Sequence, residues 1–413
     1  MNPQSGFNSE SARRMQGGEL DDEVVHSVLA GTLQWSHEQG YRGHEKHDGL
    51  NSPALSKLCG RSSLLRLVAI QAVMRSPLNL RRWLRVRPAL NPKGLALFIQ
   101  SYLDLHQLDR DPRHLQRIDE LVELLKQSRS PVSSLHGRGW GYWYPWQDPG
   151  FYAPAGTPNA VVTAFVCEAL LDIVESTGQH QLLDMVADAI EFFFTDLKRL
   201  KDTEEELCLS YMPIAMTMRV MDVSILIASV VARYCKIREQ SAHMDSARRL
   251  LRYVVRRQTD YHAWWYTDPP SASHITHDNY HTGFILDALH RWMAVTAESE
   301  YQQQYWQGLE FYRDRLFGPN GEPYWMSTRT FPFDIHGAAQ GIITFSRHDD
   351  LYPGLADRIA SWAITNMYNQ EGQFYYQKHR WFTKRITFMR WCNAWMARAL
   401  ARLLVERSKH EKD

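Results

Sequence analysis

Six times in 413 residues the chain returns to one kind of segment, an apolar helix rich in Ala, Gly, Ser and Leu behind a polar or proline-containing loop. The six are NPKGLALFIQSYLDLH from Asn91, TPNAVVTAFVCEALLDI from Thr157, MRVMDVSILIASVVARY from Met218, HDNYHTGFILDALHRW from His277, DIHGAAQGIITFS from Asp334 and TFMRWCNAWMARALARLL from Thr387. Their starts lie 53 to 66 residues apart, and a more charged helix such as PRHLQRIDELVELLKQ or MDSARRLLRYVVRRQ stands between successive members. Alternation at such a period means stacked helical hairpins, because one hairpin cannot bury its apolar face alone. Small side chains let helices approach closely, which suits an inner ring, and charged amphipathic helices suit an outer one. With the helix near Arg61 to Met74 as outer partner of the first inner helix, six hairpins can close on themselves. The expected fold is therefore all-α, an α/α toroid of about six helical hairpins.

The rest of the chain is arranged around that body. Residues 1–18 are polar and Ser/Gly-rich and are expected to be a disordered tail; residues 19–60 form an N-terminal helix and rim segment, and 61–408 the toroid. Four aromatic stretches, RGWGYWYPW (138–146), AWWYTD (263–268), EPYWMSTRTFPFD (322–334) and GQFYYQKHRWFTKR (372–385), each lie just before an inner helix in sequence broken by Gly and Pro. They read as short hairpin-like loops on one rim, converging on the mouth of a central cavity.

Composition excludes several classes. Lys plus Arg number 47 against 46 Asp plus Glu, a formal charge of +1, which is not the basic excess of a nucleic-acid binder. Arginines cluster at Arg81, Arg82, Arg85 and Arg87 and again at Arg248, Arg249, Arg252, Arg256 and Arg257, where a solvated helix face is the expected role. Five scattered cysteines indicate neither a disulfide framework nor a metal site, and suit a reducing compartment. Apolar runs fall well short of the roughly 18 residues that cross a bilayer, so no integral membrane segment is expected and the location reads as cytoplasmic. Phosphate-binding glycine loops and the Gly-x-Ser-x-Gly elbow are missing from the sequence.

Chemistry concentrates at HDNYH, residues 277–281, where polar side chains crowd the start of an otherwise buried helix. Thr276 or Asp278 can cap that helix, and the inner-helix N-termini gathered at the mouth favour an anionic ligand. His277 and His281 share a helical face, but no third ligand accompanies them, so no metal and no other cofactor is expected. A role in substrate contact or proton transfer is favoured, since Asp334 and His336 recur at the equivalent place of the next repeat and Arg390 and Asn393 in the last. Tyr142, Trp143, Trp265 and Trp325 are candidates for stacking on pyranose faces. A second polar cluster, GYRGHEKHDGLNSP (40–53), either folds over the rim or forms a solvated loop.

DNYHTGF, the upstream AWWYTD and the 40–53 segment resemble bacterial exopolysaccharide and capsule-cluster proteins of the VpsJ type, and DNYHTGF is also similar to a signature of toroidal glucuronyl C5-epimerases. The resemblance implies a six-hairpin toroid acting on a glycan or sugar precursor, in contact with polysaccharide assembly machinery. Epimerase or lyase chemistry on a uronic-acid glycan would use Tyr280 and His281 as base and acid, with Asn279, Arg138 and Arg390 holding the carboxylate. An inverting glycoside hydrolase would instead need two carboxyl groups about 6.5 to 9.5 Å apart, for which Asp278 and Asp334 are the pair. A non-catalytic glycan-binding or scaffold protein is the third reading.

Overall fold

The computed structural model describes residues 20–410, so the tail expected over residues 1–18 lies outside the described residues. Fourteen α-helices are described, and they define the architecture. The first three, α1 (Asp22–Glu38), α2 (Pro53–Cys59) and α3 (Ser63–Arg75), precede the repeats. Five hairpins follow, each an inner and an outer helix: α4 (Pro92–Asp109) with α5 (Pro112–Gln127), α6 (Ala160–Thr177) with α7 (Leu183–Glu191), α8 (Met221–Ile237) with α9 (Met244–Val255), α10 (Asn279–Thr296) with α11 (Gln302–Leu316), and α12 (Ile335–Phe345) with α13 (Leu355–Met367). The last inner helix is α14 (Trp395–His410), led in by a π-helical turn over Met389–Ala394.

Each inner helix packs on the next, and α14 packs back on α4, which closes the ring. Closure explains why these helices are apolar on most faces: α6 and α8 are buried along nearly their whole length. It also explains their small residues. A Cβ added at Gly283 in α10 would lie 2.3 Å from Gln340 Cγ in α12, so only glycine admits this approach.

One pairing differs from expectation. α3, expected from residues 61–74 as the outer partner of α4, instead packs on α2, on the 3-10 turn Asp48–Asn51 and on a rim strand, and the sixth outer helix is α1, which packs on α14. The reason is visible in its pattern, since only Ile70 and Val73 of α3 are buried, too little to cover an inner helix.

The inner helices start within three residues of the predicted positions, apart from the π-helical lead into α14. Asn91 caps α4 by accepting from the backbone N–H groups of Lys93 and Gly94, Asn159 caps α6 and Asp334 caps α12. The loops before them form short strands that lace the rim: β1 (Trp146–Asp148) with β2 (Phe151–Ala153), β3 (Arg199–Asp202) with β4 (Leu207–Leu209), β5 (Arg219–Val220) with β6 (Thr267–Asp268), and β7 (Phe333–Asp334) with β8 (Gln377–Lys378) and β9 (Thr383–Lys384). All pairs are antiparallel, and two of them, β5–β6 and β7–β8, join loops of different repeats rather than closing local hairpins.

Candidate functional site

The rim loops divide their aromatic rings between the core and the cavity. In regular strand, residues two apart would share a face, but these loops are bent and irregular just before the inner helices. Trp140 and Trp264 point into the core, where their indole N–H groups donate to the Leu125 and Val254 carbonyls near the ends of outer helices. Two residues on, Tyr142 and Tyr266 face the other way, and Phe374 and Tyr376 repeat the pattern. The outward set surrounds a cavity of about 1400 Å³.

Five inner helices send their first turn to that cavity, through Lys93, Val161, Asp222, Tyr280 with His281, and His336, and the π-helical lead into α14 does so through Arg390 and Trp391. Six aligned N-termini give it a positive partial charge. The 40–53 segment folds over the rim: Glu45 receives two hydrogen bonds from Arg390 Nε (3.1 and 3.2 Å) and one from Nη2 (2.7 Å), Asp48 pairs with Arg81 at 2.7 Å, and Lys46 and His47 reach the cavity wall.

His281 lines the cavity, and its Nδ1–H donates to Asp278 Oδ2 at 2.7 Å. An ionised carboxylate only accepts, so this bond fixes the tautomer and leaves Nε2 as the nitrogen available to a ligand. Asp278 stands at the N-cap position of α10 yet makes no side-chain capping bond, contrary to the capping role expected of it. The Tyr280 ring lies 4.4 Å from that of His281 and stacks on His336 at 4.5 Å and 6°. Burial, then Asp278 and Asp334, push its hydroxyl well above the ordinary 10.0, so Tyr280 stays protonated. His336 is buried with both ring nitrogens unpartnered, and burial together with Lys93, Arg390 and Lys46 pushes it well below the ordinary 6.5.

The floor holds two charged groups that sequence reasoning missed. Lys93 Nζ sits 3.7 Å over the Phe165 ring, 4.4 Å over Phe284 and 5.1 Å over Trp395. It makes no ion pair with any described residue. Asp222 is buried with Oδ1 unpartnered. Burial drives both toward neutrality, the ammonium down and the carboxyl up. Their signal was the repeat itself, since Lys93 and Asp222 occupy first-turn positions equivalent to those of Tyr280 and His336, in segments whose apolar character masked them.

Of the other candidates, Tyr142, Trp325 and Arg390 line the cavity. The remainder lie elsewhere. Asp334 sits behind the wall, accepting from Trp391, Gln377 and the backbone of His336. Asn279 is tied to the Leu316 carbonyl and the Tyr312 hydroxyl, and His277 stands with Trp265, Tyr261 and Ser327 outside the cavity. The Trp143 indole donates to the Ser128 carbonyl, and Arg138 is exposed with its backbone bonded to Asp188. Neither lines the cavity.

A closed ring of helical hairpins with a polar cavity at the N-terminal ends of its inner helices defines the class, an α/α toroid. No family model matches the sequence, and no curated protein matches it. Solved structures do match in fold. Cellobiose 2-epimerase from Bacillus thermoamylovorans B4167 aligns with TM-score 0.62 over 78% of this chain and 90% of its own, at 11% identity. A GH76 α-mannanase from Bacteroides thetaiotaomicron aligns with TM-score 0.58 over 80% and 89%, at 13% identity. A polysaccharide lyase aligns with TM-score 0.53 over 78% and 91%, at 11% identity.

Proposed function

We propose that the cavity carries out proton transfer on a uronic-acid-containing glycan, as an epimerase or lyase. The observation that carries this reading is the Asp278–His281 pair at 2.7 Å on the cavity wall, a base whose tautomer and orientation are fixed. His281 Nε2 takes the proton from the carbon next to the carboxylate, whose oxygens accept the electron pair. Return of a proton from the Tyr280 hydroxyl to the opposite face completes an epimerisation; departure of the neighbouring substituent completes an elimination. Lys93 meets the substrate carboxylate, whose negative charge restores the ammonium that burial disfavours, because Arg390 is committed to Glu45, Asn279 to the core, and Arg138 lies on the outside. The aromatic wall supplies stacking faces for sugar rings. The structural neighbours named for epimerase, lyase and mannanase activity support a carbohydrate substrate, and the resemblance to exopolysaccharide and capsule proteins supports a place in polysaccharide production.

Hydrolysis is the second reading. The expected pair does not support it, since Asp278 is held by His281 and Asp334 by three donors. Asp222 does, as a buried carboxyl raised above the usual range with one oxygen unpartnered, which is what a glycosidase acid requires. Incubation with polyglucuronate and polymannuronate in deuterated water separates the outcomes. Deuterium at C5 or unsaturated ends, lost in His281→Gln, is expected. New reducing ends without either would sink proton transfer in favour of hydrolysis, and binding with no product at all would leave a glycan-binding scaffold.

A further inference from the structure

The two arginine clusters of the sequence meet different fates in the fold. On α9 and just beyond its end, Arg248 pairs with Glu298, Arg249 with Asp202, Arg256 with Glu205, and Arg257 with Glu206 and Asp268, so four of the five arginines of that cluster are paired within the chain. The collar made of α2, α3 and the loop through Arg87 is the opposite case. From Gly49 to Leu103 the sequence holds nine Lys and Arg and not one Asp or Glu. Arg81 and Lys93 are buried; the other seven are at least partly exposed and make no ion pair with any described residue.

The same collar shows apolar side chains to solvent. Leu64, Leu65, Val68 and Ala72 follow helical spacing along one face of α3, with Leu64 68% and Val68 55% exposed. A helix packed on a core turns such a stripe inward. Trp83 is 73% exposed beyond the end of α3, and Trp381, at the tip of the β8–β9 turn, is 84% exposed. That turn is held beside α3 because Lys384 of β9 donates to the Met74 carbonyl.

We propose that this collar is a docking surface for an anionic membrane. Apolar side chains set among unpaired arginines are the composition that lies in a bilayer interface, the leucines entering the acyl boundary and the cations meeting headgroup phosphates. Nucleic acid would use the cations but has no use for the leucine stripe. The inward side of α3 supplies Leu67, Gln71, Met74 and Arg75 to the cavity wall, so docking sets the cavity mouth at the headgroup layer. A glycan still attached to a lipid carrier would meet the cavity there, whichever reaction it undergoes.

The test is flotation of the full chain with vesicles. Binding is expected to phosphatidylcholine vesicles containing phosphatidylglycerol, not to phosphatidylcholine alone, with release at high salt. Two variants alter only exposed positions, Leu64→Ser with Leu65→Ser and Val68→Ser, and Arg82→Glu with Arg87→Glu. Each should lower vesicle affinity by about tenfold or more while leaving circular dichroism and melting unchanged. The inference fails if the wild-type chain does not float with anionic vesicles at low salt, or if both variants float as it does. It fails equally if sedimentation velocity finds a dimer that the triple variant lacks, or if RNA binds in preference to the vesicles.

Discussion

Asp278 shows how one side chain is diverted from a structural task to a chemical one. At the N-cap of a helix a carboxylate ordinarily accepts from the backbone, worth about 1 kcal/mol; here its Oδ2 is bound by His281 instead. Asp278→Asn therefore removes little capping but leaves the imidazole without its anionic partner. Both it and His281→Gln are expected to lower turnover by roughly 10² to 10⁴-fold with the fold intact, and the double variant should be no worse than either alone, since the two act as a unit. Product formation and circular dichroism together check this, and an additive double variant would separate the pair. Arg390 is the contrasting residue, at the cavity but bound to buried Glu45. Glu45→Ala strands a buried guanidinium and should cost about 3–5 kcal/mol, read as a shift in the urea midpoint.

Among the elements, the inner helices are governed by how closely they can approach. Gly283→Ala must displace Gln340, whose amide donates to Asp287 at 2.9 Å, while Arg347 pairs with the same carboxylate at 2.8 Å. Overpacking of this kind costs about 1–3 kcal/mol, measurable by urea denaturation; an unchanged midpoint would mean that α10 and α12 can separate freely. Closeness of this sort is written in composition, and so the six inner helices, their order and their first turns were legible from small-residue content and spacing alone. The rim was less so. Periodicity does not say which of two adjacent aromatics faces the cavity: Tyr142 and Trp325 line it as expected, Trp143 does not, and Tyr266 stands where Trp265 is expected. Nor does it say which outer helix closes the ring, because α1 and α14 meet only through tertiary packing across almost the whole chain. Lys93 and Asp222 stayed hidden because each stands in a helix start that reads as apolar.

Across the whole molecule, the concentration of buried imidazoles at and below the rim makes stability sensitive to mild acid. Burial pushes His277 down to about 4, and burial with Arg347 does the same to His290; His336 and His47 are also pushed well below the ordinary 6.5. Between pH 6.5 and about 4 the unfolded chain binds protons that the folded chain refuses, so stability falls as pH falls through this window, by at most about 1.4 kcal/mol per unit for each such histidine. The paired carboxylates of Asp172 and Asp287 are held below their ordinary value, so their contribution is lost only at lower pH. The Tm should therefore decline from about pH 6.5 downward, before the paired carboxylates protonate, with the raised carboxyls of Asp222 and Asp334 opposing the decline. Replacing His277 and His290 together with Gln should shallow that decline, even if it lowers the Tm at neutral pH by removing their packing. A Tm that holds level from pH 7 to 5 would mean that these imidazoles take up protons in the folded chain, and hence that water reaches the rim interior more freely than its packing implies.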